Sequence, residues 1–149
     1  RVLFRSVYRA RQLDQFPRNV IVSLGTNDIW WLHISMEDCI DSMMSAIGPN
    51  HEVWWVNLYF GPNGYDDLPG YAHANNVLRK KRGQYPNLRI INFAGAYKRA
   101  LQSDPKVGWD DGVHLNAYGD TVRAQIIAGT LGPAPSADDR GVAGKATRP

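Results

Sequence analysis

Val20-Ile21-Val22-Ser23-Leu24-Gly25-Thr26-Asn27-Asp28 is the stretch that decides the architecture. Its first part is a short, β-branched apolar run without polar alternation, ended by a glycine. Such a run reads as a strand buried on both faces, the habit of a parallel sheet. On its C-terminal side, Ser35 reads as a helix N-cap with Asp38 three residues on, a capping-box-like pair. Met36, Ile40, Met43, Met44 and Ile47 fall at helical spacing, and Gly48-Pro49 stops the helix. On its N-terminal side, residues 2–14 read as a helix with Leu3, Val7 and Ala10 on one stripe, broken at Phe16-Pro17.

The alternation continues. Val53 to Phe60 reads as a second strand, with Trp54 and Trp55 facing opposite sides and both structural. Tyr71 to about Gln84 reads as a helix with Ala74, Val77 and Leu78 inward. Its cations from Arg79 to Arg82 suit the negative end of the helix dipole. Leu88 to Phe93 reads as a third strand, a long loop runs to His114, and Ala117 to Leu131 reads as the last helix. From Gly132 the chain is rich in Pro, Ala, Gly and charge, so residues 132–149 are expected to be a disordered tail behind a domain at 1–131. Strands alternating with helices imply a parallel α/β sheet with right-handed crossovers, whose ligands bind at the carboxyl ends of the strands.

The totals allow one domain: 149 residues, 44% hydrophobic, net charge +3. That charge does not imply nucleic acid, and Arg1, Arg5 and Arg9 read as a solvated helix face. No run is long and apolar enough to span a membrane. The single cysteine, Cys39, excludes an internal disulfide and sits in an apolar helical pattern as a buried thiol. His33, His51, His73 and His114 lack metal-ligand spacing, so neither metal nor cofactor is expected.

Two motifs carry chemistry. Gly25-Thr26-Asn27-Asp28 closes the first strand, where Gly25 permits a tight turn and close approach to a substrate, and the Asn27 amide is a donor suited to an oxyanion. Asp111-Gly112-Val113-His114 sets a carboxylate three residues from an imidazole on one loop. A histidine base needs an acceptor on its second ring nitrogen to fix its tautomer, and Asp111 can be that acceptor, with Asp110 the alternative acid. Each string taken alone also reads as an ordinary turn: Asn27 and Asp28 capping the next helix, Asp111 capping a loop with His114 on the surface. Trp30, Trp31 and Trp109 flank the two motifs and can wall a pocket or pack in the core.

Together these blocks resemble the SGNH (GDSL-like) hydrolases. Val20 to Asp28 is similar to the family's Gly-x-Asn-Asp block, and Asp111 to Gly119 to its Asp-x-x-His block. The resemblance covers about Asn19 to Leu131. It implies a flavodoxin-like three-layer α/β/α sandwich and a serine esterase or acyl-hydrolase site acting on a small ester or an O-acylated carbohydrate. His114 would be the general base, Asp111 its orienter, and Asn27 with the Gly25 loop the oxyanion donors. An O-acyltransferase shares this machinery, and a hydrolase-like module that only binds a glycan or partner is the non-catalytic alternative. The family is often exported, and a lone cysteine is compatible with that.

The family's nucleophilic serine belongs to a Gly-Asp-Ser block after its first strand. The 24 residues before Gly25 contain no glycine; Ser6 lies in a helical pattern and Ser23 in a strand, so no nucleophile is assigned in this chain. The resemblance therefore implies a domain whose first strands are missing, a sequence cut at its N-terminal side. Val20 to Leu24 should then form a sheet edge with bare apolar surface beside it. Such a chain is expected to be inactive toward esters, marginally stable and prone to self-association.

Overall fold

The computed structural model describes residues 7–10, 16–26, 35–61 and 70–132. Expectations that rest on Asn27, Asp28, Trp30, Trp31, His33, Ser6 and the tail from residue 133 lie outside the described residues. Three strands, β1 (Asn19–Val22), β2 (Glu52–Val56) and β3 (Leu88–Ile91), form one sheet in the order β1-β2-β3. Both pairings are parallel, with Val20 opposite Val53 and Val53 opposite Leu88. Between them run α1 (Met36–Ile47) and α2 (Gly70–Gln84), followed by α3 (Phe93–Ser103) and α4 (Ala117–Leu131).

The sheet is covered on both faces. One core joins Val22, Val53, Trp55 and Leu88 to Met36, Ile40, Met43 and Ile47 of α1 and to Ala74 and Leu78 of α2. The other joins Val56, Ile91 and Trp54 to Phe93 and Tyr97 of α3 and to Val122 and Ile126 of α4. This is the expected α/β/α sandwich, with Trp54 and Trp55 on opposite faces. Ser35 caps α1 by accepting the Asp38 amide at 3.1 Å, and Cys39 is buried in the same helix. The basic run on α2 supplies a strut: Lys81 Nζ lies 2.6 Å from Asp41 on α1.

Two expectations need correction. The stretch after β3 is not a loop throughout, because α3 occupies Phe93 to Ser103. Asn92 caps it by accepting the Gly95 amide at 3.2 Å, and Phe93 and Tyr97 are its buried residues. The second strand also ends at Val56 instead of Phe60. The Asn57 N–H still donates to the Ile91 carbonyl at 3.1 Å, and past it the backbone leaves the ladder for side-chain partners. The Asn57 carboxamide accepts the Ala94 amide at 2.7 Å and donates to Asn92 Oδ1 at 3.2 Å. Leu58 is held by Asn75 of α2, which accepts its N–H and donates to its C=O, both at 2.8 Å. The amide of Asn75 thus stands in for a neighbouring strand.

Asn75 is itself buried. Replacing it with Ala leaves the Leu58 amide and carbonyl without partners, at about 1–3 kcal/mol for each buried group left unsatisfied. Urea denaturation of Asn75→Ala should show a loss in that range or above, and a loss of amide-exchange protection at Leu58.

Among the described residues, β1 has one neighbour, β2, and is a sheet edge. Ile21, on the face toward α4, is 46% exposed. An apolar edge with free backbone groups pairs readily with another chain. Sedimentation velocity is expected to show concentration-dependent association, weakened several-fold by Ile21→Lys; a strictly monomeric parent chain would contradict this.

Candidate active site

Gly25 closes the run from β1 with φ +122°, a backbone conformation that L side chains rarely adopt. Space is tight there as well: a Cβ would lie 3.3 Å from Met36 Sδ and 3.4 Å from Leu58 Cδ1. The approach to this turn is fixed by Trp55, whose Nε1–H donates to the Leu24 carbonyl at 3.2 Å. The second motif is a compact loop built on Asp111. One carboxylate oxygen accepts the amides of Val113 (2.9 Å) and His114 (2.7 Å), and the other contacts His114 Nδ1 at 2.6 Å. Gly112 takes φ +83°, which lets the chain fold back over that carboxylate.

The loop is closed at its base. Asp110 N–H donates to the His114 carbonyl at 2.8 Å, and Trp109 pairs with Leu115 in an isolated antiparallel bridge. Asn116 follows as the cap of α4, accepting the Gly119 amide at 2.7 Å, while its Nδ2 donates to the Lys106 carbonyl at 3.1 Å. Below, Tyr97 Oη donates to the Gly108 carbonyl at 2.9 Å and its ring packs against Trp109.

Segment 57–61 joins the two motifs. At one end Leu58 abuts Gly25. At the other, the Gly61 N–H donates to the Gly112 carbonyl at 2.8 Å. Gly61 has no alternative there, since a Cβ would stand 2.6 Å from Trp109 Cδ1. A cavity of about 270 Å³ opens at this place, at the carboxyl end of the sheet. Ser23 and Thr26 line it from the first motif, His114 and Trp109 from the second, and Asn57 and Tyr59 from the joining segment.

The structure therefore brings His114 and Asp111 into contact and sets His114 in one cavity with Thr26, the residue after Gly25. Trp109 walls that cavity, while Trp54 and Trp55 do not. Ser23 also lines it, beyond the end of β1, and its Oγ meets the Arg123 guanidinium of α4. Arg123 is a cavity residue that the sequence pattern does not reveal, because its helix face carries no periodic signal toward Ser23, 100 positions away.

Asp111, accepting from the His114 backbone, the His114 ring and the Val113 backbone, has its carboxyl held down to about 2 from an ordinary 3.8. His114 moves the other way, above its ordinary 6.5, because the imidazolium is stabilised first by the hydrogen bond to Asp111 and then by that residue's charge. An ionised carboxylate only accepts, so Nδ1 carries the proton and the neutral ring has its lone pair on Nε2. The depressed Asp111 contributes to stability above pH 3.8 and loses its contribution as pH falls toward about 2. The raised His114 contributes fully below 6.5 and loses its contribution as pH rises through the folded-state midpoint. The pair is thus strongest between those two values, and the free base appears above the raised midpoint. NMR titration should place the His114 midpoint above 6.5, and Asp111→Asn should return it toward that value. An unshifted midpoint in the parent chain would remove Asp111 as the orienting group.

No protein-family model matches this sequence, and no curated protein matches it. Solved structures do. The C-terminal catalytic domain of peptidoglycan O-acetyltransferase A from Streptococcus pneumoniae matches at TM-score 0.65 and 19% identity, over 87% of this chain and 72% of that one. An acetylxylan esterase from Geobacillus stearothermophilus matches at TM-score 0.63 and 16% identity, over 88% and 68%. A Parabacteroides merdae protein assigned as a GDSL-like lipase matches at TM-score 0.59 and 19% identity, over 80% and 65%. This chain spans about two thirds of the length of these structures. At such identities the likeness is one of fold, the α/β/α sandwich that this chain shares with two enzymes and a protein assigned as a GDSL-like lipase.

Proposed function

We propose that the cavity is the base and oxyanion side of an acyl-ester site, acting on a small ester or an O-acylated carbohydrate. The observation that carries the proposal is the Asp111–His114 contact of 2.6 Å beside a cavity at the carboxyl end of a parallel sheet. In this reading Asp111 fixes the tautomer, and His114 Nε2 takes the proton of the attacking hydroxyl and returns it to the leaving alcohol. The Gly25 turn, with Asn27, donates to the oxygen on which charge develops. The nucleophile is not assigned to a residue of this chain. Ser23 is not assigned that role, because its described partner is a guanidinium, which has no lone pair to accept its proton.

The resemblance of fold reaches both esterases and an acetyltransferase. Both chemistries use one base and one oxyanion site, and differ in whether water or a sugar hydroxyl accepts the acyl group. The test uses the complete gene product with p-nitrophenyl acetate, in the presence and absence of a glycan acceptor. His114→Gln should lower kcat by about 10³-fold or more, and Asp111→Asn by a comparable factor. Activity that survives His114→Gln would defeat the assignment. A complete product with no activity and no fluorophosphonate labelling would favour a binding module.

A further inference from the structure

Among the described residues that line the cavity, Arg123 is the one with a permanently charged side chain. Its guanidinium is positioned from two sides. It stands over the Phe93 ring, 5.9 Å from the centroid, and it donates through Nη2 to Ser23 Oγ. The ion pairs found among the described residues, Lys81–Asp41, Arg89–Glu52 and His114–Asp111, do not include it. Most of its N–H donors are therefore open to a ligand. A guanidinium held beside an aromatic ring and a hydroxyl forms further bonds at reduced ordering cost, and its planar fork matches a carboxylate. Tyr59, Phe60 and Trp109 supply aromatic wall to the cavity that Arg123 and His114 also line.

We infer that the substrate's ester carries a neighbouring carboxylate, which Arg123 binds while the ester carbonyl sits beside His114. The inference rests on the cavity being an ester site, and it narrows the substrate to acidic esters. The carboxylate can belong to the alcohol side, as on an acidic sugar, or to the acyl side, as in the half-ester of a dicarboxylic acid. Both present a planar anion to the same fork. Among the described residues that line the cavity none is acidic, and the Asp111 carboxylate behind His114 is engaged by that ring, which favours such an anion over a cationic group.

Binding can be followed on the chain itself through the NMR signals of the His114 ring and the Arg123 side chain. Acetoxyacetate places the carboxylate on the alcohol side, and monomethyl succinate places it on the acyl side. Methyl acetoxyacetate and dimethyl succinate are their neutral counterparts. At least one acid should bind about tenfold more tightly than its neutral counterpart, the gain of a charge-assisted contact. The acid that does so identifies which side bears the charge. Arg123→Gln should erase the preference while the neutral esters still move the His114 signals. Equal binding of acids and neutral esters, or a preference that survives Arg123→Gln, overturns the inference and leaves the ester site standing. If none of the four esters moves the His114 signals, the ester site falls and the inference with it. Should Arg123→Gln fail to fold, the unaltered chain decides: binding of the acid must weaken with added salt and must protect Arg123 from phenylglyoxal, and failure of either overturns the inference.

Discussion

The two hydrogen bonds between the Asn75 carboxamide and the backbone of Leu58 are the constraint on which the site depends. A parallel strand that runs past its neighbours must find new partners for its backbone or return to water. Here one buried side chain supplies both a donor and an acceptor, at the geometry of a ladder rung. Leu58 is thereby placed against Gly25, and the chain continues to Gly61, which meets the loop of Asp111 and His114. Asn57, one residue earlier, is fixed to the start of α3 through Ala94 and Asn92. Thus α2 and α3 both bear on a segment that touches each motif. Two strings of residues far apart in sequence come to line one cavity by way of a third segment that carries none of the motif residues.

The parts of this arrangement that are legible in the sequence are those with a period or a local signal. The run Val20 to Leu24, the Met-rich stripe of α1 and the Ser35 cap each express one element's own preferences. The i, i+3 spacing of Asp111 and His114 is local too, so their contact follows from one turn of loop. The strand from Val53 ends earlier than its composition suggests, because Asn57 to Phe60 keep a strand-like composition. What takes over from the ladder at Leu58 is Asn75, 17 positions on, and no local pattern announces it. The helix Phe93–Ser103 was hidden differently. Asn92 is a good cap and Phe93, Tyr97 and Leu101 recur at helical spacing, but Gly95 and the lack of an acidic first turn blunt the pattern. Arg123 and Gly61 are illegible for the same reason as Asn75, since their meaning lies in contacts with Ser23, Phe93 and Trp109 that the topology creates.

Two ion pairs of equal length have opposite surroundings in this molecule. Lys81–Asp41 and His114–Asp111 both measure 2.6 Å. The first joins α1 to α2 across 40 positions, with Tyr85 donating to the other carboxylate oxygen of Asp41 at 2.8 Å. It braces two helices, and its lysine is only 14% exposed. The second joins residues three apart on one loop, with the histidine 78% and the aspartate 55% exposed. A pair so open to water adds little to stability, and it ties no element to another that the backbone does not already join. Yet Asp111 is held by two backbone amides besides the ring, so its carboxylate cannot swing away, and the ring it meets cannot turn freely. Rigid orientation of a solvent-facing imidazole, at a cavity, has little value to a folded core. In the proposed ester site it serves a base that must present one nitrogen to a proton in a set direction.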